Sequence, residues 1–360
     1  MNRFSYIING LVACSLLLVG CSSIGPRSVA SDSFDYNGAL ADSWKQRMLY
    51  NIVRLRYGDT PYFLDVASVI NQYSLETRGQ ASLEFQRPLG SNANTFGFGG
   101  SSTYTDRPTI TYLPLSGEKF ARSLMRPLPP TAVMGLIEAG YSVEQVMRIC
   151  VQSVNGIRNR FAGQLATKPE DDEFLPLLQL LQRVQNSGSI SLRMQKSDDK
   201  ELMIMRLRNK VDPELTDDTL QIRTILDLEP TADEFRVVYG SKNKDGREIA
   251  IMTRSILQII NNLGSEIEVP EAHVTEKVVN QTIVTLSPSG VPEPPPIRIH
   301  STPTKPDNPF VAVPYQSHWF WIDNRDLKSK KLFSFLMFLF SLTETTGKEG
   351  APIMTISAGG

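Results

Sequence analysis

At 360 residues, with 41% hydrophobic and 21% charged residues, the chain has the composition of a folded globular protein and enough length for a sizeable core, which excludes an intrinsically disordered polypeptide. Its 37 basic and 38 acidic residues nearly cancel, so nucleic acid is not an expected partner.

The first element is at the N-terminus. Arg3 supplies one positive charge, residues 11–19 are apolar or small, and Gly20-Cys21 closes the run. Asn9 and Gly10 interrupt it on one side and the polar stretch 22–27 follows on the other. About 20 apolar residues are needed to span a bilayer, so this pattern reads as an export signal and not as a membrane helix.

Leu18-Val19-Gly20-Cys21 resembles the lipobox of bacterial lipoproteins. The resemblance covers about the first 21 residues and implies cleavage between Gly20 and Cys21, diacylglycerol on the Cys21 thiol and acylation, such as palmitate, of the new amino group. Leu11-Val12-Ala13-Cys14 fits the same pattern, but cleavage there leaves too short an apolar segment upstream. Several acyl chains at about 0.8 kcal/mol per buried methylene hold a protein stably on a bilayer. Ser22, and not Asp, follows Cys21, which in lipoproteins of this kind favours the outer membrane, facing the periplasm. With Cys14 in the signal and Cys21 lipidated, Cys150 is the one remaining thiol of the mature chain, and no internal disulfide is expected.

Five segments follow from composition: a signal peptide at 1–20, a lipidated tether at 21–35, an α+β periplasmic domain at 36–286, a Pro-rich linker or loop at 287–309, and a C-terminal strand–helix–strand at 310–360. Residues 38–57 predict a helix, because Leu40, Trp44, Met48, Ile52 and Leu55 recur at helical spacing and Gly58 stops it. Residues 62–75, 81–87, 95–104 and 108–115 carry aromatics, β-branched residues and patches of alternation, which predict two to four strands in hairpins. Residues 116–161 read as helical around the break Pro127-Leu128-Pro129-Pro130, with Val143, Val146, Cys150, Val154 and Ile157 on one face. A helix is expected at 169–184, its acidic opening Glu170-Asp171-Asp172-Glu173 answering the helix dipole.

The second half predicts strands at 189–195, 202–208, 220–226 and 235–239, a helix at 247–263 and a short strand at 266–269. Eight prolines within 287–309 exclude a regular helix or an inner strand there. A strand at 319–322, a helix at 326–342 and a strand at 353–357 repeat the strand–helix–strand plan, hinting at a duplication. The expected fold class is therefore α+β: an N-terminal helix and β-hairpin region, a helical middle, and C-terminal strand–helix–strand units packed in a mixed sheet.

Enzymatic equipment is sparse. His273, His300 and His318 have no metal-ligand spacing, no Cys pair remains for zinc, and neither a nucleophile elbow nor a phosphate loop occurs. Gly97-Phe98-Gly99 lacks the third glycine of a dinucleotide fingerprint. No catalytic, metal or cofactor-binding residue is assigned. The first expectation is a lipid-anchored outer-membrane lipoprotein acting as a non-catalytic binding or structural component of a cell-envelope assembly, with membrane lipid and an envelope protein as partners. The alternatives are an oligomeric outer-membrane channel or secretion lipoprotein using hairpins near 81–115, and an envelope hydrolase. For the hairpin segment itself, a soluble or partner-docking role is preferred to insertion, because residues 97–102 break the alternation. The lipobox is checked by intact mass: the mature chain should begin at a diacylated or triacylated Cys21, and an unmodified chain beginning elsewhere is the contrary result.

Overall fold

The computed structural model describes residues 26–70, 73–84, 95–106, 109–114, 121–162, 167–168, 170–197, 200–207, 213–286 and 291–344. Cys21, Gly20 and the strand expected at 353–357 lie outside these residues. The class is α+β, as the sequence predicts.

Helix α1 (Pro26–Arg56) is 31 residues long and begins twelve residues before the expected start at Gly38, so it includes much of the expected tether. Proline suits a first helical turn, where its missing N–H leaves no bond unmade. Among the described side chains of α1 burial begins at Met48: Met48, Leu49, Ile52 and Val53 are sealed in the core, whereas Phe34 and Trp44 are exposed. Gly58, at φ +79°, ends the helix in the left-handed region that glycine adopts without strain. Buried Asn51 then brackets the departing chain. Its Nδ2 donates to the Tyr62 carbonyl at 3.0 Å, and the Tyr62 N–H donates to its Oδ1 at 2.8 Å. The next residue, Phe63, is buried and stacks on Phe340 with ring centroids 5.3 Å apart.

From this root the chain runs out and back. Strand β1 (Leu64–Ile70) pairs antiparallel with β4 (Thr109–Pro114), and β2 (Tyr73–Glu84) with β3 (Thr95–Asp106). The break expected between residues 75 and 81 is absent, since β2 runs through it. The cause is that Thr77, Gly79 and Ala81 alternate with Glu76, Arg78 and Gln80: period two is present, but between small and polar residues, not apolar and polar ones.

Beyond the ribbon, Leu124 and Ser123 of a short π-helical turn (Ala121–Met125) are buried. Helices α2 (Pro130–Glu138) and α3 (Val143–Cys150) follow. The helical face expected to continue through Val154 and Ile157 stops at Cys150, where the chain becomes β5 (Val151–Val154) and β6 (Ile157–Arg158). Asn155-Gly156, with φ of 47° and 93°, is the two-residue turn that reverses the strand, and this dipeptide is the signal the helical reading passed over. Strands β7 (Phe161–Ala162) and β8 (Thr167–Lys168) form a small pair before helix α4 (Phe174–Asn186).

Strands β9 (Ile190–Ser197) and β10 (Lys200–Leu207) are where the sequence places them. The strand expected at 220–226 is instead the end of helix α5 (Pro213–Ile225), in which Asp218, Ile222 and Arg223 are buried at helical spacing. After β11 (Glu234–Tyr239), the expected helix at 247–263 splits into strand β12 (Glu248–Thr253) and helix α6 (Ile256–Gly264). Strand β12 is central in the sheet order β6-β5-β12-β11-β10-β9, and a strand buried on both faces shows no alternation to read. The β11–β12 pair is parallel and the others antiparallel, so the sheet is mixed. Arg254, almost wholly buried, donates from Nη1 to the carbonyls of Arg148 and Ile149 at 3.0 and 3.2 Å and from Nη2 to the Arg160 carbonyl, stitching the end of α3 to the sheet. Desolvation lowers its pKa to about 10, so it remains charged.

The expected short strand at 266–269 is an irregular segment leading to helix α7 (Glu271–Thr275). Strand β13 (Thr285–Leu286), just before the Pro-rich stretch, pairs with β14 (Pro292–Glu293) inside it, and Ile297 and Ile299 enter the core, so the second part of the stretch belongs to the body of the fold. Strands β15 (His300–Thr302), β16 (Pro309–Tyr315) and β17 (His318–Asp323) form a separate antiparallel sheet in the order β15-β17-β16. Among the described residues the C-terminal strands thus form a sheet of their own beside the mixed one, and the second strand of the expected C-terminal unit lies outside those residues. Helix α8 (Leu327–Glu344) closes the described chain, burying Leu332, Phe333, Phe335, Leu336 and Leu339.

The bracket at the ribbon root is open to test. Asn51→Ala removes both partners of the Tyr62 backbone, and unfolding in denaturant should show a loss of about 1–3 kcal/mol; a change within about 0.5 kcal/mol, typical of neutral surface substitutions, would deny the bracket its role.

Candidate functional site: the two-stranded ribbon

Of the residues singled out from sequence, Cys150 ends α3 and is fully buried. Desolvation pushes its thiol up to about 12, with the nearby Arg254 charge only partly opposing this, so the reactive thiolate is disfavoured. The histidines serve separate contacts. His273 Nδ1 lies 2.8 Å from the Tyr57 hydroxyl, and its ring meets that of His318 edge-on at 4.9 Å. His300 Nδ1 is 3.0 Å from Glu268 Oε2. The acidic run at 170–173 precedes α4, which begins at Phe174, and Glu173 at the cap position makes no side-chain cap bond. Asp171 is engaged by Arg158, whose Nη2 lies 2.8 Å from its Oδ1 and whose backbone N–H donates to Oδ2 at 2.8 Å; these bonds hold the carboxyl below the usual range. Among the described residues no group of three or more acidic, His or Cys residues is placed to hold a metal ion.

The ribbon has the most ordered chemical pattern in the chain. Its β2–β3 portion has twelve consecutive register pairs, from Tyr73 opposite Asp106 to Glu84 opposite Thr95. Directly opposed residues of an antiparallel pair lie on the same face, and successive residues on opposite faces. One face therefore carries Ser74, Glu76, Arg78, Gln80, Ser82 and Glu84 of β2, with Thr105, Thr103, Ser101, Gly99, Gly97 and Thr95 opposite. It holds polar residues or glycine at every position.

The other face carries Tyr73, Leu75, Thr77, Gly79, Ala81 and Leu83, opposite Asp106, Tyr104, Ser102, Gly100, Phe98 and Phe96. Aromatic and aliphatic residues occupy both ends and small residues the middle. Within β2–β3, every charge except Asp106, which stands at the terminal pair, is on the first face. The glycines at 97 and 99, which break the alternation of β3 when it is read alone, fall on the polar face once the partner strand is in register. The sequence signal for this site was present in β2, where the polar member of each pair alternates without exception over 73–84.

Twelve residues at about 3.3 Å extend roughly 40 Å, and at a tilt near 45° they rise about 28 Å, which matches the hydrocarbon thickness. Each of the sheets β1–β4 and β2–β3 has two strands, so both edges of the ribbon present unpaired backbone groups among the described residues. Among those residues no helix is long and apolar enough to cross a membrane. Glu84 and Asp106 are strand ends, while Arg87 and Arg107 lie outside the described residues.

No family model, curated protein or solved structure matches the chain. The site is therefore read from its own chemistry. For Cys150 that chemistry has a direct consequence: a maleimide added to the folded protein should react far more slowly than after unfolding, and Cys150→Ala should keep function while losing about 1–2 kcal/mol of stability. Fast labelling of the native protein is the opposing result.

Proposed function

We propose that this chain is a lipid-anchored subunit of an oligomeric outer-membrane pore, in which the ribbon of each copy supplies two strands of a shared β-barrel. The observation that carries the reading is the sorting of twelve register pairs into one polar and one apolar-to-small face. A barrel strand needs an apolar exterior with aromatic residues near the interfaces and a polar interior, over about 9–11 residues. A charge on the lipid face costs about 2–4 kcal/mol near the midplane. The central charges Glu76 and Arg78 stand on the opposite face, which is the arrangement that avoids this cost.

Edge pairing supports the same reading. A lone two-stranded ribbon is marginally stable in water, and open edges cannot remain in hydrocarbon. Pairing β2 of one copy with β3 of the next satisfies both edges, and head-to-tail contacts of this kind close into rings. The lipobox around Cys21 supports delivery to the same membrane. Helix α1, about 46 Å long at 1.5 Å per residue, links the acylated end to the ribbon root. The polar face with its glycines, serines and threonines would line a water-filled lumen, and the remainder of the fold would form a periplasmic ring. This reading makes the envelope assembly expected from sequence an assembly of like subunits.

The test places single cysteines on each face in a Cys150→Ala background. Cysteines at 75, 81, 98 and 104 should react with a lipid-phase reagent and those at 74, 80, 97 and 103 with an aqueous one, in a detergent-resistant oligomer that conducts ions in planar bilayers. Uniform aqueous labelling of a monomer rejects the pore.

A further inference from the structure

A second site lies away from the ribbon. A cavity of about 500 Å³ opens between the α2–α3 turn and the first turns of α8. Its walls are mostly apolar, including Tyr141, Val146, Phe310, Leu332 and Phe335. Tyr141 and Phe335 meet with ring centroids 5.0 Å apart, and Leu327 and Tyr141 leave exposed apolar surface at the rim. Two ammonium groups join this wall, Lys330 and Lys331, and no carboxylate is among the lining residues. The Lys330 Nζ is fixed by donation to the Asn324 carbonyl at 3.0 Å and to Asn324 Oδ1 at 2.8 Å, and it stands 5.4 Å from the centre of the Phe310 ring. Lys331 is exposed.

The adjacent acids are occupied elsewhere or lie outside the lining. Asp326 accepts from the Ser329 N–H at 3.0 Å and from its hydroxyl at 2.7 Å, capping α8, and these bonds hold its carboxyl below the usual range. Glu144 is on α3 beside Gln145 but does not line the cavity. The volume falls within the range of sites that enclose small ligands, about 300–1,000 Å³, and such sites pair an apolar wall with a few polar groups that fix orientation.

We propose that this groove binds a single-chain anionic amphiphile, its acyl chain against Tyr141, Phe310, Leu332 and Phe335 and its anionic head at Lys330 and Lys331. Charge complementarity selects this occupant: an uncharged chain leaves two cations without a counter-charge in the lining, and a small inorganic anion leaves the apolar wall in water. The inference does not depend on the ribbon forming a pore.

The probe is a diazirine-bearing palmitic acid, photo-crosslinked to the full-length lipoprotein in a neutral maltoside detergent and mapped by peptide mass spectrometry. Saturable labelling should concentrate on peptides containing residues 141–146 or 327–335. Lys331→Glu should reduce it about tenfold, the scale of one lost charge-assisted contact, and the corresponding diazirine alcohol should label as weakly. Because Lys331 is exposed, that variant should unfold at the same denaturant midpoint as the wild type. Ser334→Trp, which fills the groove from an exposed position, should abolish labelling independently. Competition by unlabelled palmitate identifies a free carboxylate as the head, and competition by single-chain lysophosphatidylglycerol identifies a phosphate. Labelling spread evenly over apolar surface, equal labelling by the alcohol, or no effect of either variant overturns the proposal.

Discussion

The arrangement rests on a pair of hydrogen bonds at the end of one helix. Asn51, buried within α1, holds both backbone groups of Tyr62, and so fixes the direction in which the chain leaves the core for the ribbon. An isolated bracket of this kind is worth only about 1 kcal/mol per bond. Its leverage comes from place. The helix enters the core at Met48, three residues before it; thirteen residues after it, the chain is in β1. Gly58 completes the turn, Phe63 pins it to α8 by stacking on Phe340, and Tyr315 donates from its hydroxyl to Asp59 on the same turn. The long helix α1 and the ribbon thus share one fulcrum.

The body that holds this fulcrum is knitted by buried cations as much as by apolar packing. Arg254 gathers carbonyls from the end of α3 and from the loop at Arg160, while Arg223 donates to the carbonyls of Leu207 and Ala232 at 3.2 and 2.9 Å. Each satisfies oxygens where a helix or strand ends, which is where backbone acceptors lack partners. A cation at a helix C-terminus also complements its dipole. The adjacent Arg160 and Glu266 form a close pair at 2.6 Å in near-complete burial, and desolvation raises the Glu266 pKa despite that partner. Such a pair resists removal of either member more than it adds net stability.

On the proposed reading, the ribbon and the groove divide two kinds of lipid contact between two kinds of scaffold. The ribbon is built from local alternation, offers its edges to another strand, and gains most from assembly. The groove is built between helices whose buried sides already belong to the core, so its apolar wall is preformed and its cations are held by the start of α8. On the proposed reading, one protein meets lipid as an anchor, as a barrel exterior and as a bound amphiphile, each through a different arrangement of the same apolar chemistry.

By itself the sequence determined the features set by residues close together in the chain. The face of Met48, Ile52 and Leu55, the stop at Gly58, the strands β9 and β10, and the helix α8 are all local patterns. It also contained the Asn155-Gly156 turn and the unbroken polar alternation of β2, although hydrophobicity alone did not bring them out. Tertiary structure decided the rest, because the deciding neighbour was far away. Strand β12 looks like the start of a helix until β5 and β11 pair with both of its edges and the core covers its faces. The segment at 220–226 looks like a strand until its helical spacing meets a core. Gly97 and Gly99 of β3 look like a break until β2 supplies the register that sets them on one face with Glu76 and Arg78. A face is a property of a pair of strands, and no single strand read alone contains it.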